Sequence, residues 1–144
     1  LPPLTVERPR VSLAPLPDAV RARLRVWLAV PWVDRGESLA GWDCWGLCRV
    51  VGREAYGLTL PRFAGVVATA EDQTSVAGAV DAALPQFDQV APAEGTVRLF
   101  ESGGLLAHVG LHLSPRLVLH AVRGSGTFLV DLEDPRCAGW NTRT

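Results

Sequence analysis

The sequence changes its period once, at Pro85, and that change limits the architectures open to it. Before Pro85 the apolar residues recur at helical spacing, and after it they fall in short strand-like runs separated by Gly, Ser and Pro. Val20, Leu24, Trp27 and Leu28 follow the helical period between Pro17 and Pro31, which predicts a first helix over residues 18–30. A second is predicted from Cys44 to Tyr56, with Asp43 placed to cap it and Gly57 to stop it. The Ala-rich stretch 71–84, opened by "EDQTS" and closed by Pro85, predicts a third. Beyond it "GTVRLFESG", "LLAHVGLHLS", "RLVLHAVRG" and "GTFLVDL" read as strands of an antiparallel meander. Helices first and strands second in one short chain predict an α+β fold, its sheet packed against the helix that starts at Cys44.

A chain of 144 residues has the length of one domain. Its first fifteen residues, "LPPLTVERPRVSLAP", carry four prolines and neither period, so residues 1–15 are predicted to form an extended Pro-rich arm and residues 16–144 a single domain. "PWVDRGESLAGWD" reads as a loop, broken by Pro31, Gly36 and Gly41. The net charge of -1 and the scattered arginines give no broad basic field, which argues against nucleic acid as a partner. No apolar run approaches the ~20 residues of a spanning helix, so membrane insertion is not expected. Every basic residue is Arg and Ile is absent, a bias that GC-rich coding sequences produce. With no Met in the sequence, Leu1 is not expected to be the translated start, and no basic segment followed by an apolar run supports export by a standard signal.

Three cysteines, Cys44, Cys48 and Cys137, cannot all pair within one chain. Cys44 and Cys48 would lie one helical turn apart with diverging Cβ vectors, so a disulfide framework is not expected. All three histidines fall in two adjacent predicted strands. His108 and His112 should share a face with Gly110 between them, and His120 should lie on the neighbouring strand if "SPR" turns the hairpin. A thiol at a helix N-terminus facing two imidazoles supplies a nucleophile, a base and an orienting group. The positive end of the helix and a nearby imidazolium would stabilise the thiolate and can lower its pKa to ~3.5–7.5. Gly41 and Gly46 would let a substrate backbone approach the sulfur. Two other readings stand beside this one. Cys44 can be an inert thiol heading a core helix, or Cys44, Cys48, His108 and His112 can hold zinc, although their spacing is that of no known ribbon or finger. Cys48 is expected in the core, His112 to be hydrogen-bonded to backbone, and Asp43 to act as a cap. Trp42 and Trp45 suit a substrate groove and a core equally.

"GWDCWGL", followed by "HVGLHL" and then "LVLHA", resembles the NlpC-type cysteine peptidases, compact papain-like enzymes that cleave cell-wall peptides. The resemblance covers roughly residues 18–132. It implies a papain-like form of the α+β fold, with Cys44 as nucleophile, His108 as base and His120 as the third residue. The step of twelve residues from 108 to 120 is the family's usual hairpin spacing. It further implies that Trp32, Asp43 and Trp45 lie around the oxyanion and substrate, that neither cofactor nor metal is needed, and that the substrate is a peptidoglycan stem peptide cut next to a γ-linked D-glutamyl residue. The longer pattern "PW...RG...GWDCWGL.R....YG..LP" is similar to versions found in the tails of long-tailed bacteriophages and prophages, which have Trp after the nucleophile. That implies a virion-tail protein assembled in the host cytoplasm, acting at the cell wall and docked on tail proteins through its arm. A structural tail protein with a vestigial or assembly-only site is the alternative. Three positions depart from the family: Trp32 replaces a usual Tyr, Gly95-Thr96 replaces a usual Gly-Asp, and His112 stands where an aromatic residue is common.

Overall fold

The computed structural model describes residues 11–14, 16–61, 87–102, 105–134 and 141–143. The predicted helix over 71–84, nearly all of the arm and Cys137 lie outside these residues. The first helix, α1, spans Asp18–Leu28 and enters from Pro17, whose fixed φ of -58° suits a helix start. Asp18 in its first turn and Arg25 in its last complement the helix dipole. It stops two residues short of the predicted Val30. There the bonds tighten to Ala29 N–H on Val26 O and Val30 N–H on Trp27 O, because a residue before proline disfavours helical backbone.

The segment predicted as a loop contains a small ladder. Strands β1 (Glu37–Ser38) and β2 (Gly41–Trp42) pair antiparallel, and Trp32 bridges Trp42 in parallel. Two-residue strands carry no readable period, and Arg35, at φ 60°, occupies the left-handed turn position where a glycine would have marked it. The ladder delivers the chain into α2, Cys44–Tyr56. The Asp43 carboxylate accepts from Gly46 N–H at 2.6 Å, and Gly57 ends the helix at φ 65° with its N–H on Arg53 O. One flank of α2 is charged: Arg49 pairs with Glu37 at 2.7 Å and donates to Leu60 O at 3.0 Å, and Glu54 pairs with Arg23 of α1. Its buried side chains, Trp45, Leu47, Cys48, Val50 and Val51 among them, pack on the sheet.

That sheet comprises β3 (Val97–Ser102), β4 (Leu105–His112), β5 (Leu117–Val122), β6 (Gly126–Asp131) and β7 (Asn141–Arg143), antiparallel in the order β6-β5-β4-β3-β7. The short β7 was not foreseen, since three residues near a chain end give no alternation to read. One face of the sheet contributes Val109, Leu111, Leu117, Leu119, Ala121 and Leu129 to the main core, with Trp27, Trp42, Leu47 and Val51. Alternation sends Phe100, Val118, Phe128 and Val130 to a second, smaller cluster. The observed architecture is the α+β arrangement read from the sequence, helices first and an antiparallel sheet after.

Candidate active site

The site forms where two central strands part. β4 and β5 pair only at Leu111↔Leu119 and His112↔Val118, although both strands continue past these pairs. Beyond Leu111 the ladder ends, and the Val109 backbone hydrogen-bonds the Cys44 thiol instead. The sulfur at the head of α2 therefore meets β4 one residue past His108. Across the same seam the two imidazoles join, with His108 Nε2 2.8 Å from His120 Nδ1.

Rings hold this pair. His120 is fully buried, edge-on to Phe128 with centroids 4.9 Å apart and tilted against Phe100 at 5.9 Å. His108 lies 5.4 Å from Phe100. Strand register explains the contacts, because Phe100 is opposite His108 and Phe128 is opposite His120. Neither phenylalanine was singled out from the sequence. Predicting them requires the pairing register, which alternation alone does not supply.

Burial sets the protonation states. It pushes the Cys44 thiol up to about 12, the Asp43 carboxylate adding to the effect, while N–H groups of Val109 and the first helical turn oppose it. It holds His120 at about 3, and it takes His108 well below the ordinary imidazole range, with His120 adding to the shift. The sequence-based expectation of a thiolate stabilised by the helix end meets a stronger effect here. Cys44 is 6% exposed, and removing a lone anion from water outweighs the pull of one helix terminus. Burial therefore favours a neutral thiol and neutral imidazoles in the resting site.

The remaining predicted residues have definite places. Asp43 is the N-cap, its pKa raised chiefly by burial. Trp45 is buried, and its indole N–H donates to Pro61 O at 2.8 Å. Trp32 donates its single N–H to Asp34 Oδ1 at 3.0 Å, so that hydrogen is already engaged, and the ring lines a cavity of about 420 Å³ between residues 28–32 and 124–127. Asp34 also pairs with Arg123 at 2.5 Å across the rim. His112 accepts from Arg98 Nε at 3.1 Å and bonds Ser114 O through Nδ1 at 2.9 Å, which fixes it as the neutral Nδ1–H tautomer. Burial and the Arg98 charge lower its pKa. Cys48 is fully buried in the core. Among the described residues, no group of three or more His, Cys, Asp or Glu side chains could hold a metal, and no helix is long and apolar enough to cross a membrane.

A family model described as the NlpC/P60 family matches residues 29–144. Among solved structures, the NlpC/p60 domain of peptidoglycan hydrolase SagA is similar at a TM-score of 0.52 and 20% identity, covering 93% of this chain and 98% of that one. A protein of Staphylococcus aureus subsp. aureus Mu50, described as similar to lipoprotein and of the NLP/P60 family, gives a TM-score of 0.54 and 22% identity over 86% of this chain. The match spans 39% of that longer protein. At these identities the likeness concerns the fold. No curated protein matches the chain.

Proposed function

The chain belongs to the NlpC/P60 family, and from that premise we propose that it is a cysteine peptidase hydrolysing peptidoglycan stem peptides through Cys44, His108 and His120. The observation that carries the reading is the 2.8 Å bond between the two histidines at the seam where the Val109 backbone meets the Cys44 thiol.

The mechanism follows from the neutral resting pair. His108 directs Nε2 at His120, which leaves Nδ1 to take the proton of the thiol. For Nδ1 to accept, Nε2 must carry the ring hydrogen and donate it to His120 Nδ1, so His120 holds His108 in one tautomer and one orientation. The proton passes to His108 as sulfur attacks the peptide carbonyl. The imidazolium then protonates the leaving amine, and water cleaves the acyl-enzyme by the reverse sequence. The Cys44 backbone N–H is the oxyanion donor. Trp32 lines the cavity formed with residues 28–31 and 124–127, and its N–H, held by Asp34, reaches an oxyanion only by leaving that carboxylate.

The cleavage position assigned to this reading is next to a γ-linked D-glutamyl residue. Within the family we place the chain in the tail-associated subset, its Pro-rich arm docking on neighbouring tail proteins and the enzyme carried in the virion to the next cell wall. The support for this is the pattern around "GWDCWGL" and "YGLTLP". Digestion of purified murein by the wild type and by Cys44→Ala tests the activity. New muropeptides are expected with the wild type alone, while identical null profiles from two folded proteins would leave the structural tail-protein reading in its place.

A further inference from the structure

The Trp42 indole is completely buried, and its one N–H donates to Thr127 Oγ1 at 2.8 Å. Thr127, 1% exposed, passes its own hydroxyl hydrogen to Val30 O at 2.8 Å. One hydroxyl thus joins three segments remote in sequence: the end of the first helical region, the β2 ladder and strand β6. It accepts once and donates once, which among side chains of this size only Ser and Thr do.

The position of this hydroxyl gives it a role. Trp42 lies two residues before Cys44, and its backbone is tied to Pro31 O and Val33 N–H. Thr127 lies next to Phe128, the residue that meets the His120 ring edge-on. Adjacent side chains on β6 therefore point to opposite faces of the sheet, one bonded to the segment that delivers the sulfur and the other packed on the orienting imidazole. The Cys44 segment approaches from the helical layer and His120 from the sheet, and Thr127 is a hydrogen-bonded connection between the two layers, beside the Val109 contact of the thiol.

We infer that Thr127 is a positioning residue of the catalytic site, fixing Trp42 and so the placement of Cys44 against the strands that carry His108 and His120. The inference rests on the cysteine-peptidase reading. A misplacement near 1 Å at a reacting centre can lower the rate by ~10²-fold, so loss of this connection is expected to lower kcat about tenfold with KM unchanged.

The test is the rate of Cys44 alkylation by iodoacetamide, read by peptide mass spectrometry between pH 6 and 9 in wild type, Thr127→Val, Thr127→Ser and Trp42→Phe. Thr127→Val removes the hydroxyl at constant shape, and Trp42→Phe removes the donor while keeping a ring. Both are expected to slow alkylation at pH 7 about tenfold. Thr127→Ser is expected to restore it to within about twofold, because the hydroxyl returns. The double variant is expected to be no slower than either single one. If Thr127→Val fails to fold by circular dichroism, Trp42→Phe carries the same comparison. A folded Thr127→Val or Trp42→Phe that alkylates at the wild-type rate overturns the inference. Murein digestion by the wild type decides the peptidase reading separately, since the alkylation ratio exists whether or not murein is cut.

Discussion

His120 packs against Phe100 and Phe128 and is bonded to His108, and burial holds it at about 3, so it rests as the neutral imidazole. A neutral third residue can orient an imidazole but contributes little charge to an imidazolium. In the proposed mechanism the proton transfer from Cys44 therefore depends on His108 itself. This predicts an unusual pH profile for a thiol pushed up to about 12. With His108 as base, alkylation of Cys44 at pH 6–8 should be nearly flat, because the imidazole is already neutral there, and His108→Ala should lower it at least about tenfold. A rate climbing tenfold per pH unit through this range, unaffected by His108→Ala, would identify a thiol reacting only after direct ionisation. That His108 and His120 would lie together on neighbouring strands was legible from the sequence, because their alternation and spacing are local signals. The protonation states were not legible, since the helix end is visible in a sequence and the depth of burial is not.

At the scale of elements, the clearest success of the sequence is α2, whose start, cap and stop coincide with the structure because each is fixed by local chemistry. The ladder before it escaped notice for the opposite reason. Its order comes from contacts between segments, above all Gly36 O, which accepts from Asp43 N–H at 3.2 Å and lies against the first turn of α2. A Cβ on Gly46 would come within 1.8 Å of that oxygen, a backbone atom that cannot swing aside. Gly46, read from the sequence as room for substrate, is in fact the point where hairpin and helix touch. Gly46→Ala is expected to cost about 3 kcal/mol, the upper part of the overpacking range, and to lower the melting temperature measurably. A melting temperature within one degree of wild type would show that the ladder yields easily. Thr127 carried no comparable signal, since a threonine inside a predicted strand is ordinary until its partners are known.

For the whole molecule, the buried titratable groups define a pH window of stability. His108 and His120 have folded-state values below the ~6.5 of an unfolded histidine, so the unfolded chain binds more protons as the medium acidifies. Their contribution is complete above about pH 6.5 and is lost toward the about 3 of folded His120, at up to about 1.4 kcal/mol per pH unit for each. Cys44 acts in the other direction. Its folded value of about 12 exceeds the ~8.5 of a free thiol, so its contribution is lost as pH rises beyond that lower value. Denaturant unfolding between pH 4 and 10 should show a plateau near pH 6.5–8.5 with losses on both sides, and His120→Gln should flatten the acid limb. An acid limb of equal slope in both proteins would contradict the assignment. At this scale the change of period at Pro85 announced the layering, and the meander read from the four runs is the observed succession of β3, β4, β5 and β6; the place of β7 beside β3 stayed out of reach because that pairing joins segments far apart. That order has a kinetic consequence. Both histidine strands are interior, and the outer places belong to β6 and β7. Yet β4 and β5 share only two residue pairs, so His108 is zipped to interior β3 and His120 to rim strand β6, and breathing of that rim should make amide exchange faster at His120 than at His108.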